Sequence, residues 1–210
     1  MLRTYKPQLL RKEDVKIIEV SSSKGGVGTT TVACCMALAL ANKSPERVLL
    51  LDLSSNEDCF GILGVSTTST YEREQYEMSI KKTTRQELAD TLNLGDYDFV
   101  VIDAGLETSP EYRFGPVDLR IQVVRNEYMA LRAASTERGN FDATVVLFQK
   151  QYALTVGDVQ MILRNTPIVF EISADVARAV DSGLIAWREN LWGDWTDSII
   201  ETHLTKGEST

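Results

Sequence analysis

Apolar residues in this chain fall in short runs that alternate with longer stretches of small or amphipathic composition. Residues 15–20 form a β-branched apolar run, residues 32–41 a stretch of Ala, Cys, Met and Leu that favours helix, and residues 47–52 a second run, Arg-Val-Leu-Leu-Leu-Asp. Uninterrupted apolar strands of this kind are buried on both faces, as in parallel sheets. Similar runs recur at 97–103, 121–124, 143–148 and 167–172. Helices are predicted over 85–94, with Thr84 as N-cap and Gly95 as stop, over 154–163 and over 175–187. Residues 66–84, rich in Ser, Thr, Glu and Lys, are predicted to form a surface segment with a short edge strand around 76–80. The alternation predicts an α/β fold, a mostly parallel twisted sheet of about seven or eight strands with helices on both faces.

Bulk properties narrow this picture. At 210 residues, 43% hydrophobic and 25% charged, the chain suits a single globular domain, 1–210, with residues 1–14 as an arm and 188–210 as an extension. It has no run of about eighteen apolar residues and its start lacks an apolar signal-peptide core, so a soluble, cytoplasmic protein is expected. The net charge of −8 argues against broad DNA binding, although a local basic patch is compatible with it. Five arginines, Arg113, Arg120, Arg125, Arg132 and Arg138, are spread through one region, and such residues more often pair with acidic neighbours at the surface. Cys34, Cys35 and Cys59 have no metal-ligand spacing and read as buried free thiols. His203 has no Cys or His neighbour in sequence and is expected to be solvated.

The chemistry is concentrated where the first strand meets the first helix, at Ser21-Ser22-Ser23-Lys24-Gly25-Gly26-Val27-Gly28-Thr29-Thr30-Thr31. Three glycines in four positions let backbone N–H groups approach an anion, and the following helix offers its unpaired N-terminal donors and dipole to the same anion. The expected ligand is a di- or triphosphate. The bland alternative is a glycine-rich turn without ligand, but the strand and helix that the motif requires flank this loop. Against the pattern G-x-x-x-x-G-K-[ST] the loop departs twice: Ser23 stands at the first Gly and Thr29 at the phosphate-binding Lys, while Thr30 keeps the metal-binding hydroxyl.

With its early lysine, Lys24-Gly25-Gly26-Val27-Gly28 resembles the deviant Walker A loop, KGGxGKT, of the ParA/MinD family of dimerising ATPases. The resemblance covers residues 15–187 and implies the P-loop NTPase-like fold, ATP or ADP with Mg²⁺ as cofactors, and a homodimer. It implies nucleotide contacts from Lys24, Gly25, Gly26, Val27, Gly28, Thr29, Thr30 and Thr31, with Lys24 crossing the dimer interface to the partner's nucleotide. The less favoured reading of Lys24 is a solvated lysine beside a loop. The strand ending in Asp52 matches the family's L-[IV]-D-x-D, with Asp52 beside the metal and Ser54 where a second Asp places the attacking water. Tyr97-Asp98-Phe99-Val100-Val101-Ile102-Asp103 resembles the Walker B strand, so the implied metal set is Thr30, Asp52 and Asp103. An aspartate that merely caps the next turn is the other reading of Asp103.

The losses at Thr29 and Ser54 predict slow or absent hydrolysis, since a cation on the phosphates and a carboxylate on the water are both missing. Relatives recognise adenine with an Asn after the strand at 143–148; here Gln149 could substitute or Phe148 could stack on a base, and each reads equally well as core or surface. The Gly-Gly-Val-Gly-Thr-Thr loop is most similar to the CpaE/TadZ branch, which localises pilus-assembly machinery. The resulting expectation is a nucleotide-switched positioning factor with a protein partner from a positioning, pilus or secretion system; direct DNA binding is less favoured and membrane contact is expected only through partners. The other class is a competent ATPase for DNA partition or cargo positioning. Three tryptophans, Trp187, Trp192 and Trp195, fall in an acidic C-terminal stretch unlike a basic membrane-targeting helix, which favours core packing for some of them.

Overall fold

The computed structural model describes residues 15–43, 47–54, 56–65, 71–73, 76–84, 96–106, 116–136 and 140–204. Eight strands form one sheet: β1 (Lys16–Ser22), β2 (Val48–Asp52), β3 (Tyr71–Arg73), β4 (Tyr76–Lys82), β5 (Phe99–Leu106), β6 (Leu119–Arg125), β7 (Ala143–Phe148) and β8 (Ile168–Glu171). Their order is β3-β4-β2-β5-β1-β6-β7-β8, and every pairing is parallel except the β3–β4 hairpin at one edge. The expected mostly parallel α/β sheet is therefore present. Six α-helices are described: α1 (Thr29–Lys43), α2 (Asp58–Leu63), α3 (Tyr128–Thr136), α4 (Val156–Leu163), α5 (Ala174–Asp181) and α6 (Gly193–His203).

The central helix α1 follows the loop directly and is buried on every side from Val32 to Ala41. A helix apolar all round needs a core position, and its Ala33, Cys34, Cys35, Ala37, Ala39 and Ala41 are small enough to let the sheet on one side and other helices on the other come close. Leu50, Val101, Ile121, Val123 and Leu147 form its bed on the sheet. On the opposite face, Val124, Val146 and Val159 pack with Leu131 of α3, which places α3 and α4 there.

Register aligns the ends of the central strands. Asp52 lies beside Asp103, and Asp103 beside Val20, so the start of the glycine loop and both aspartates reach the carboxyl edge of the sheet together. A bulge between Val20 and Ser21, opposite Asp103 and Gly105, bends the two strand ends there. Nucleotide sites of open α/β sheets collect at this edge.

Several expectations shift. The strand expected at the edge over 76–80 is β4, an interior strand that pairs with β2 on one side and β3 on the other; its alternate residues Met78 and Ile80 enter the core under α1. The helix expected over 175–187 stops at Asp181 because Gly183 takes a left-handed φ of 66°, after which Ile185–Trp187 forms a single 3₁₀ turn. The C-terminal stretch contains a helix, α6, that docks on α1 and β8. Trp192 is fully buried with its indole N–H donating to Ile185 O at 3.0 Å, Trp195 stacks on Phe170 at 5.0 Å, and Trp187 is 60% exposed. His203, expected to be solvated, is half-buried in the last turn of α6. The helix expected over 85–94, the arm 1–14, Arg113 and Arg138 lie outside the described residues.

Candidate functional site

The loop closes tightly at one glycine and opens at two. Gly28 adopts φ 98°, and a Cβ there would lie 2.3 Å from Leu147 Cδ2 on β7, so the position admits glycine alone. Cβ atoms at Gly25 or Gly26 would meet nothing within 4 Å, and Gly26 has φ 73°. The loop thus rests on β7 through Gly28 and leaves Gly25 and Gly26 bare toward a cleft of about 910 Å³. Thr29, Thr30 and Thr31 at the start of α1 line the same cleft, as do Ser54, Glu57, Gly105, Arg125 and Asp181. Val27 is buried beneath the loop.

Thr30 and Asp103 are joined: the threonine hydroxyl donates to the Asp103 carboxylate, which also accepts the Gly105 N–H at 3.1 Å. Burial pushes the Asp103 carboxyl up to about 6, the Thr30 hydrogen bond opposes that rise, and the neighbouring Asp52 charge adds to it. Asp52 is fully buried, and its two oxygens accept backbone N–H groups of Ser54 at 2.8 Å and Cys59 at 2.9 Å. Asp52, Asp103 and Cys59 offer ligand atoms within 4.8 Å of one another. Cys59 was not foreseen at the site; it is brought there by α2, whose N-terminal turn folds back onto Asp52. Its hydrogen bond with Cys34, together with burial, holds its thiol well above the ordinary range, so it remains a neutral thiol 3.7 Å from Asp103 Oδ2. Cys34 and Cys35 are likewise buried and raised by burial.

At Thr29 and Ser54, where the resemblance implies a lysine and an aspartate, the hydroxyls are hydrogen-bonded to the scaffold. Thr29 Oγ1 donates to Ser22 Oγ at 2.8 Å and is buried, so the position that would carry a lysine offers the cleft no charge. Ser54 Oγ accepts the Asp58 N–H at 3.0 Å and helps start α2. Lys24 Nζ lies 3.5 Å from Glu127 Oε1 at the head of α3, within its own chain. Phe148 and Gln149 are half-buried at the end of β7 and neither lines the cleft. Gln149 is instead tied through its backbone to Asn126, a fully buried residue whose amide also donates to Leu154 O at 2.9 Å.

Arg125 is the residue that sequence reading left among surface arginines. It closes β6, where strand alternation puts it on the same face as Ile121 and Val123, the α1 face. Arg120, by contrast, pairs with buried Glu19.

A strand, a glycine loop over a helix N-terminus, and a hydroxyl bonded to a strand-end aspartate define a P-loop NTPase-like domain. Comparison with known proteins agrees. A family model described as AAA domain matches residues 15–94. The chromosome partitioning protein ParA of Caulobacter vibrioides is 29% identical over 142 residues, 68% of this chain and 50% of that protein; the chain spans about half the length of the curated relatives it matches. The ParA family ATPase from Chlorobium tepidum superposes with a TM-score of 0.71 at 14% identity, over 92% of this chain and all of that one. MinD in the MinC:MinD cell division complex of Aquifex aeolicus gives 0.70 at 21% identity, over 93% and 97%. In loop, sheet order and sequence the chain is thus similar to proteins of the ParA/MinD family.

Proposed function

We propose that the protein is a nucleotide-switched positioning factor of the ParA/MinD type that binds ATP or ADP with Mg²⁺, dimerises and recruits a protein partner, and that hydrolyses ATP slowly or not at all. One observation carries this reading: the glycine loop over the α1 N-terminus is present while both charged contributors to hydrolysis are replaced by side chains bound into the scaffold, Thr29 on Ser22 and Ser54 on the Asp58 N–H. The bare Gly25 and Gly26 leave room for phosphate oxygens against the backbone. The donor set, a threonine hydroxyl and carboxylate oxygens, suits a hard divalent cation. Thr30 and Asp103 would hold Mg²⁺, with Asp52 fixing the wall behind them; when bound, the ion neutralises charge on the phosphates. The single-domain, cytoplasmic reading belongs to this proposal, and so does a partner from a positioning, pilus or secretion system. The net charge of −8 again disfavours direct DNA binding.

A competent partition ATPase is the second reading, favoured by the match to a chromosome partitioning protein. Steady-state turnover of wild type, Thr29→Lys, Ser54→Asp and the double variant separates the two, with Mg-ATP affinity measured by calorimetry alongside. Each lost electrostatic contact typically costs about a hundredfold in rate. The positioning factor predicts slow wild-type turnover and a gain in the repaired variants; turnover equal to that of an ordinary ParA in wild type would select the partition ATPase.

A further inference from the structure

Resting on the nucleotide reading, we propose that Arg125 supplies the cation of the phosphate site, in place of the lysine that Thr29 replaces, and binds the phosphate chain of the nucleoside polyphosphate. Among the described residues it is the only basic side chain that lines the cleft. Its Nε is buried and has no hydrogen-bond partner, an arrangement that leaves a donor of the guanidinium fork unsatisfied until an acceptor arrives. As it stands, the loop places no cation in the cleft. Thr29 is buried against Ser22, and Lys24 is held 3.5 Å from Glu127.

Position is fixed by the sheet. β6 pairs with β1, the strand that feeds the loop, with Val20 beside Ile121 and Ser21 beside Gln122. Arg125 continues the series Ile121, Val123 onto the α1 face, and its register neighbour on β7 is Leu147, the residue on which Gly28 rests. The guanidinium therefore stands on the same side of the sheet as the loop and the first turn of α1. Asn126 locks the strand end behind it by bonding both the N–H and the C=O of Gln149. A planar fork with fixed donors suits phosphate oxygens in pairs, which a lysine meets only as a point charge.

Two probes separate phosphate binding from contact with base or sugar: Mg-ATP and inorganic triphosphate, titrated calorimetrically into wild type, Arg125→Gln and Arg125→Lys, with circular dichroism to verify folding. Arg125→Gln is expected to weaken both ligands about tenfold or more, the usual range for a charge-assisted hydrogen bond, and Arg125→Lys to fall between. If Arg125→Gln does not fold, Arg125→Met, which keeps the aliphatic stem, carries the same comparison. Loss of ATP affinity with unchanged triphosphate affinity would move Arg125 to the base or sugar and overturn the assignment, as would unchanged affinity for both. No binding of either probe by wild type would overturn the nucleotide reading and the assignment together.

Discussion

The two sides of the cleft hold their polar groups in different ways. On the β2–β5 side every named group is tied into the scaffold: Asp52 takes two backbone N–H groups, Ser54 takes the Asp58 N–H, and Asp103 takes Thr30 and Gly105. The helix α2 that forms this wall is pinned at its head by Asp52 and Ser54, and at its tail Gly64 lies directly against Gly183 after α5. On the β6 side, Arg125 leaves its Nε unpaired and Lys24 meets Glu127 in a half-exposed pair. The first side is architecture whose polar atoms are already spent on each other. A ligand can recruit the charges of the second at little cost to the fold, because exposed or unpaired cations give up few interactions when they turn.

The largest effect is expected where the fixed wall is tightest. A Cβ on Gly183 would lie 2.8 Å from Gly64 Cα, and one on Gly64 would lie 2.5 Å from Gly183 O, backbone in both cases, and both residues have left-handed φ. Gly183→Ala combines that conformation's penalty with a clash that no rotamer relieves, about 3 kcal/mol together. For a chain of this size that lowers Tm by about 10 °C, readable by calorimetric or spectroscopic melting. A melt within about 2 °C of wild type would show that α2 and α5 are free to part, and the contrast between the two sides would fail.

A smaller effect follows from Asp103. Its carboxyl sits at about 6 in the folded protein against 3.8 ordinarily, so the folded state binds this proton more tightly than the unfolded state. Stability from this group is present in full below about pH 4 and is lost as the pH rises through about 6, by about 3 kcal/mol in all, of which about 1 kcal/mol falls between pH 5 and pH 7. Without added Mg²⁺, wild type should therefore melt at lower temperature at pH 7 than at pH 5 by more than Asp103→Asn does. The difference in pH dependence is the readout, since Asn also alters the bonds to Thr30 and Gly105. Parallel pH profiles for the two proteins would refute the burial argument.

The fixed side was the legible one. Its aspartates end uninterrupted apolar strands, and its loop has a spacing that few other structures need, so strand pattern and motif together locate it. Arg125 was hidden because a lone arginine at a strand end reads as surface charge; the i, i+2 series from Ile121 and Val123, joined to the rule that sites gather at carboxyl ends, is the signal that finds it. Cys59 could not be placed from spacing, because it reaches Asp52 through the fold of α2 and not through any sequence interval. Helix α6 escaped because its tryptophans and acidic residues pattern weakly, and its stability comes from Phe170 and α1, which are distant in sequence. Gly183, whose left-handed φ ends α5 early, was visible in the sequence as a stop signal but was read through.

The smallest expected effect on folding tests the β6 side. Lys24 and Glu127 keep 38% and 32% of their side-chain surface exposed, and a pair of that kind contributes little in water, less than about 1 kcal/mol. Glu127→Gln should accordingly shift the melting temperature by no more than a degree or two, and added salt should mask even that. The same substitution frees Lys24 from its own chain. If the lysine crosses to a partner's nucleotide, as the resemblance to dimerising relatives implies, the half-exposed pair competes with that reach, and removing the competitor should favour the nucleotide-bound dimer by a factor set by the same small energy, about two- to threefold for roughly 0.5 kcal/mol. Sedimentation with and without Mg-ATP reads this directly. Lys24→Ala provides the opposite arm, with dimerisation lost while the melting temperature stays put. Unchanged dimerisation in both variants would mean that Lys24 does nothing across an interface and that the Glu127 pair is simply where a solvated lysine comes to rest.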